Sequence, residues 1–261
     1  PVEAEGSELA VNGRRIPVLS DRNPENLPWG ELGVELVIDA TGKFTAREQL
    51  ERHLAAGAQR ALLTAPGKNM DLTVVMGVNE HRYDPSRHRL VSAASCTTNC
   101  LAPVLHVLDQ AFGVKRGWMT TIHAYTSDQR LLDNPHRDLR RARACASSIV
   151  PTSTGVSKAL ADVLPHLAPH INGISVRVPT QDVSLIDLQA ELKREVDEEE
   201  VKRAFLAASQ GEMGAYLGYN EIPLVSADYI GSEQSAIVDG LSLMAAGDEV
   251  KVLAWYDNEW A

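Results

Sequence analysis

Four short apolar runs between residues 34 and 94, each closed by a turn, constrain this chain more than any other feature. They are Val34-Glu35-Leu36-Val37-Ile38-Asp39-Ala40, Ala61-Leu62-Leu63-Thr64-Ala65, Thr73-Val74-Val75-Met76 and Leu90-Val91-Ser92-Ala93-Ala94. Runs this short read as buried strands. A helix with an apolar face of Leu50, Leu54 and Ala58 separates the first two, with Thr45 placed to cap it and Gly57 near its end. Strand, helix, strand in that order predicts parallel pairing and an α/β layer. Residues 1–33 are polar and turn-rich instead, with one apolar piece at Ile16-Pro17-Val18-Leu19.

The texture changes near residue 96. A helical pattern runs through Leu101, Val104, Leu105, Leu108 and Phe112 to Gly113, and a β-branched, aromatic stretch follows from Trp118 to Thr126. Residues 127–148 are polar and hold Arg130, Arg137, Arg140, Arg141 and Arg143. Residues 183–192 and 249–255 alternate as antiparallel strands do, and Asp197 with Glu200 has the form of a capping box. Two architectures joined near residue 95 are therefore expected. With 25 basic and 35 acidic residues the net charge is −10, which disfavours a nucleic-acid partner. No apolar run reaches 18 residues, so no membrane span is expected. Three cysteines suit a reducing compartment rather than a disulfide framework. The non-Met start and the stop after Trp260-Ala261 lead us to expect that both ends are cut.

Ser95-Cys96-Thr97-Thr98-Asn99-Cys100 lies between an apolar strand and a helix. A cysteine there meets unpaired N–H groups and the positive end of the helix dipole, which favours a nucleophilic thiolate. Packing as a small buried hydrophobe is the competing reading. Cys96 and Cys100 have no second Cys/His pair of matching spacing, so no metal site is expected; Cys100 and Cys145 read as inert. Of eight histidines, His53, His81, His88 and His136 sit in polar segments and read as exposed, whereas His123 lies within an apolar strand. A strand histidine with an apolar flank is more often a satisfied core residue than a base, so the residues alone favour His123 only weakly. The arginine-rich stretch reads either as a solvated face or, in so acidic a chain, as an anion site. Pro151-Thr152-Ser153-Thr154-Gly155 precedes a helix near Val156, a second start suited to an anion. Arg177 interrupts an apolar strand and calls for a partner, either a bound phosphate or Asp182.

Taken together, these segments resemble the phosphorylating glyceraldehyde-3-phosphate dehydrogenases. The likeness is carried by residues 94–103 around Cys96, by Met119-Thr120-Thr121-Ile122-His123-Ala124-Tyr125-Thr126, and by Asp138-Leu139-Arg140-Arg141-Ala142-Arg143-Ala144. Pro151-Thr152-Ser153-Thr154-Gly155, Arg177-Val178-Pro179-Thr180 and Trp255-Tyr256-Asp257-Asn258-Glu259-Trp260 complete it. The resemblance implies an α/β chain: the remainder of a Rossmann-type parallel-sheet NAD domain over 1–95, then an α+β catalytic domain with a mostly antiparallel sheet over 96–257. Residues 258–261 would begin the return to the first domain.

It also implies roles. Cys96 attacks the aldehyde and His123 serves as base; hydride passes to a nicotinamide, and phosphate cleaves the resulting thioester to an acyl phosphate. Thr126, Asp128 and Arg177 would lie near the substrate phosphate. Ser95, Thr97, Thr154, Gly155 and Arg141 would contact the substrate or attacking phosphate. Thr41, Gly42, Phe44 and Thr64 would touch the dinucleotide, and Asn258 its carboxamide. Pro135 in Asn134-Pro135 favours NAD over NADP. The partners implied are a triose phosphate and inorganic phosphate, in a cytoplasmic homotetramer. The Gly-rich pyrophosphate turn and the ribose-reading acidic residue of the family are missing from the start of this sequence. A first βαβ unit and a closing helix are therefore expected on a longer chain. An erythrose-4-phosphate dehydrogenase and a catalytically silent scaffold are the alternatives.

Overall fold

The computed structural model describes residues 2–260. The chain divides into two compact units, Pro1–Asp71 with Asp84–Ser92, and Leu72–Tyr83 with Ala93–Ala261. The first begins with an antiparallel meander of β1 (Val2–Glu5), β2 (Glu8–Val11) and β3 (Arg14–Pro17). The sequence reading missed it. Asn12 and Gly13, both at positive φ (49° and 80°), form the tight turn between β2 and β3, the Asn-Gly signal of a two-residue hairpin. The mostly exposed side chains gave no apolar alternation to find.

The same unit holds three parallel strands in the order β4 (Leu36–Asp39), β5 (Arg60–Leu63), β7 (Leu90–Ser92), with α1 (Arg47–Ala55) packed on them. Leu50, Ala61, Leu63 and Leu90 form its core. Four expectations are corrected here. The strand expected over 34–40 is only half-buried, because its side chains alternate between two faces: Val37 and Asp39 are buried while Leu36 and Ile38 are exposed. The N-cap of α1 is Ala46, not Thr45, and Gln49 Oε1 accepts instead from both Thr45 N and Ala46 N, each at 3.0 Å. Of Thr73–Met76 only β6 (Leu72–Thr73) is strand, and it belongs to the second unit. His53 is buried, 5% exposed, since it shares the inward face of α1 with Leu50.

In the second unit a mixed, mostly antiparallel sheet runs β12 (Leu217–Asn220), β13 (Ala236–Asp239), β15 (Glu249–Tyr256), β11 (Ser184–Leu192), β8 (Val114–Ala124), β10 (Ile171–Val178), β9 (Val150–Thr152). β14 (Met244–Ala246) pairs with β15. Helices α2 (Cys96–Phe112), α3 (Val156–Val163) and α4 (Glu198–Gln210) supply Leu101, Leu105, Leu108, Leu160 and Phe205 to one core with Met119, Ile186 and Val252 of the sheet. α4 starts at the expected capping box: Asp197 accepts from Glu200 N at 2.7 Å and Glu200 from Asp197 N at 3.2 Å. Alternation along β8 turns Met119, Thr121 and His123 inward and leaves Trp118 69% exposed on the opposite face. A parallel-sheet unit followed by an α+β unit is the fold class expected from the sequence.

Candidate active site

Cys96 is the first residue of α2. Ser95 caps that helix, its Oγ accepting from Thr98 N at 3.2 Å and lying 2.8 Å from Thr98 Oγ1. Asn99 Nδ2 donates to Ala93 O and Ser95 O at 2.8 and 3.0 Å, holding the turn before the helix. Cys96 Sγ lies 3.5 Å from His123 Nε2. Strand alternation thus brings an inward histidine onto a helix start 27 residues earlier in the chain.

The tautomer of His123 follows from its other nitrogen. Nδ1 is 2.7 Å from Ala124 O, which only accepts, and 3.0 Å from Arg177 Nη1, which only donates; the shorter contact favours a proton on Nδ1, with the Nε2 lone pair then turned to the sulfur. Arg177 stands beside His123 in the parallel β8–β10 register. Its Nη1, 3.0 Å from Nδ1, donates to Ala124 O and Thr126 Oγ1, both at 3.0 Å. Thr126 Oγ1 donates to Asp128 at 2.5 Å, and Asp128 accepts from Arg141 Nε at 2.9 Å. Among the described residues, Arg177 Nε is buried without a hydrogen-bond partner. The partner sought for Arg177 is therefore the His123 neighbourhood and Asp128, with Nη2 4.0 Å from Asp128 Oδ2.

Protonation follows from burial. Burial, with the Arg177 cation adding to it, lowers His123 to about 4. Burial also pushes the Cys96 thiol up, outweighing the Thr97 hydroxyl and backbone N–H and the Arg177 charge that draw it down. Burial of the sulfur thus works against the anion that the helix start and Arg177 favour. Burial works to raise Asp128, but Thr126, Arg177 and Arg141 together hold it below the usual carboxylate range. Cys100, fully buried with Sγ 3.8 Å from Ala254 O, is pushed far above an ordinary thiol.

The structure gathers Ser95, Cys96, His123, Thr126, Asp128, Arg141 and Arg177. Thr97 Oγ1 lies 3.0 Å from Tyr256 Oη, which is also 2.8 Å from Thr121 Oγ1. Tyr256 packs edge-on to His123 with ring centroids 5.9 Å apart. Sequence reasoning missed Tyr256, although the inward alternation Val250, Val252, Ala254, Tyr256 points to it. Thr154 Oγ1 accepts from Val156 N at 3.3 Å, and Gly155 is the N-cap of α3 with open space about its Cα. Their segment is joined to the site strands by β9, where Val150 pairs with Arg177. Asn258 Oδ1 accepts from Ser184 Oγ at 2.6 Å, and that oxygen accepts from Ala124 N at 3.0 Å, one residue from His123. In the first unit Thr41, Gly42 and Thr64 follow the carboxyl ends of the parallel strands β4 and β5, the place where open α/β sheets hold nucleotides. Gly42 adopts φ +67° with no atom within 4 Å of where a Cβ would stand. Among the described residues no group of three or more His, Cys, Asp or Glu side chains is arranged for a metal ion, and no helix is long and apolar enough to cross a membrane.

The loop arginines divide their work. Arg141 is engaged by Asp128 and Asp138, and Arg143 by Asp133, so much of the basic stretch is neutralised by its own aspartates. Such exposed pairs contribute little to stability, but they shape the loop beside Arg177.

Family comparisons agree with this geometry. Residues 95–258 match the family model described as "Glyceraldehyde 3-phosphate dehydrogenase, C-terminal domain", and residues 1–47 match "Glyceraldehyde 3-phosphate dehydrogenase, NAD binding domain". The chain is 56% identical to the glyceraldehyde-3-phosphate dehydrogenase of Geobacillus stearothermophilus, over 99% of this chain and 77% of that protein. Against glyceraldehyde-3-phosphate dehydrogenase 2 of Bacillus subtilis the identity is 54%, covering 99% and 76%. Against the protein of that name from Nostoc it is 53%, covering 99% and 77%. With a thiol and imidazole in reach of each other and both domain models matched in order, the chain belongs to the glyceraldehyde-3-phosphate dehydrogenase family of nicotinamide-dependent oxidoreductases.

Proposed function

We propose that the protein oxidises D-glyceraldehyde 3-phosphate to 1,3-bisphosphoglycerate with NAD, through a hemithioacetal and a thioester on Cys96. The observation that carries this reading is the 3.5 Å approach of His123 Nε2 to Cys96 Sγ, with the imidazole neutral and its lone pair free. His123 takes the thiol proton as sulfur bonds to the aldehyde carbon, then returns it to the carbonyl oxygen to give the hemithioacetal. NAD, when bound, supplies the hydride acceptor. His123 removes the hydroxyl proton as the carbon–oxygen double bond reforms, leaving a thioester. Phosphate oxygen then bonds to the acyl carbon, the carbon–sulfur bond breaks, and the sulfur regains a proton.

Arg177, with its unpartnered Nε, and Thr126 hold the substrate phosphate, and Asp128 fixes both. Ser95, Thr97, Arg141, Thr154 and Gly155 contact the substrate or the attacking phosphate. Asn258, its Oδ1 occupied by Ser184, presents its amide N–H to the nicotinamide carboxamide, while Thr41, Gly42, Phe44 and Thr64 hold the rest of the dinucleotide. Residues 1–95 act as part of the dinucleotide-binding domain and 96–257 as the catalytic domain. The exposed Trp118 and Ile174 on one sheet face support assembly into a homotetramer, and three free cysteines support a cytoplasmic setting.

One assay tests the reading. Full-length protein with triose phosphate, inorganic phosphate and NAD is expected to generate reduced nicotinamide, with NADP and erythrose 4-phosphate poorer substitutes. Absence of reduced product with every combination would sink it.

A further inference from the structure

We infer that His53 is a positioning residue for the dinucleotide, acting through Asp39 on the turn that carries Thr41 and Gly42. The inference rests on the proposed role of Thr41, Gly42, Phe44 and Thr64 as dinucleotide contacts. All four lie close to one buried pair. Asp39, the last residue of β4, is 2% exposed. Its Oδ1 accepts from Thr41 N at 2.9 Å and from Thr41 Oγ1 at 2.7 Å, and Thr41 Oγ1 in turn accepts from Lys43 N at 3.2 Å. Its carbonyl accepts from Thr64 N at 3.1 Å. The left-handed Gly42 is thus held in a turn anchored on Asp39, directly and through Thr41 Oγ1.

The other carboxylate oxygen, Oδ2, is 3.2 Å from His53 Nε2. Trp29 Nε1 lies 3.1 Å from His53 Nδ1. An indole N–H can only donate, so Nδ1 must accept and Nε2 must carry the proton that Asp39 receives. Phe44 packs edge-on against the same imidazole, with centroids 6.4 Å apart. His53 therefore spans from the Trp29 indole to the carboxylate that closes the Thr41 turn, and both its nitrogens are spent. A buried histidine needed only for packing would not require a fixed tautomer aimed at a buried carboxylate. Removing its donor leaves Asp39 Oδ2 unsatisfied in a dry site, and the carboxylate can relieve that only by turning away from Thr41.

Full-length protein, with NAD binding followed by calorimetry and amide exchange followed at Thr41 and Lys43, tests this. His53→Leu is expected to raise the Kd for NAD about tenfold, the size of effect that follows from one unsatisfied buried acceptor. It should speed exchange at both amides and place its kinetic loss mainly on KM for NAD rather than on kcat. His53→Gln, whose amide both donates to Asp39 and accepts from Trp29, should return both readouts most of the way. Should His53→Leu fail to fold, Trp29→Phe removes only the bond that sets the tautomer and is expected to weaken NAD binding by about threefold with the same faster exchange. Folded variants that bind NAD as wild type does, with unchanged exchange, overturn the inference. Wild-type protein that binds no NAD overturns it together with the cofactor reading, whereas tight wild-type binding with indifferent variants overturns the inference alone.

Discussion

Among the described residues two histidines are buried, one in each unit, and they are wired differently. His53 has a donor at Nδ1 and an acceptor at Nε2, so its hydrogen bonding is complete. His123 spends only Nδ1, on Ala124 O, and turns Nε2 to a sulfur 3.5 Å away. The contrast shows that burial alone does not tell a structural histidine from a reactive one; what the second nitrogen faces does. Arg177 sharpens it. Burial first, and the neighbouring guanidinium second, disfavour imidazolium and keep the His123 imidazole a free base down to about pH 4.

The comparison can be broken most forcefully at the sulfur. Cys96→Ser is expected to lower turnover by a thousandfold or more, on the order seen when a nucleophile is removed, with the thermal midpoint and NAD binding retained. Turnover kept in that variant would exclude the covalent route. Next in size, His123→Asn should cost about 10²–10⁴-fold in kcat/KM, the usual worth of a general base, and should shift the remaining activity to higher pH, where the thiol ionises unaided. An unaltered pH profile would mean that Nε2 takes no proton.

A smaller effect is expected from Arg177→Leu. It removes one of two causes that lower His123, so the imidazole should titrate above 4 but still below its ordinary value, since burial, the larger cause, stays. KM for the phosphorylated aldehyde should rise as well. Titration by NMR of the imidazole resonances checks the first part, and an unmoved titration contradicts it.

The smallest effect concerns stability. His123 binds its proton more weakly folded than unfolded, so the unfolded chain gains protons first as pH falls. The stability involved is present above about 6.5 and is lost as pH drops toward 4. Its size is roughly 3 kcal/mol at most, from the shift and about 1.4 kcal/mol per pKa unit. Thermal midpoints across that window should fall more steeply for wild type than for His123→Asn; parallel curves would contradict the assignment.

Much of this was legible in the sequence, for a physical reason. Parallel strands, α2 and the capping box at Asp197 leave local signals in apolar spacing and cap residues, whereas Cys96 and His123 were candidates by element position whose roles only the family resemblance supplied. What stayed hidden depends on tertiary burial. His53 reads as polar in a polar stretch until α1 turns it inward beside Leu50. The helix start at Cys96 argues for a thiolate, whereas burial of the sulfur, which no local signal shows, works against it. β4 buries Val37 and Asp39 and exposes Leu36 and Ile38, an alternation that a continuous apolar run does not show.

Mass analysis of the acyl-enzyme tests the central claim most directly. Full-length protein mixed with NAD and glyceraldehyde 3-phosphate, without inorganic phosphate, should hold one phosphoglyceryl group on the peptide containing Cys96. Adding phosphate should discharge it, and His123→Asn should slow its formation by about a hundredfold. A protein that turns over substrate with no acyl group on Cys96, or one that acylates equally fast without His123, contradicts the account.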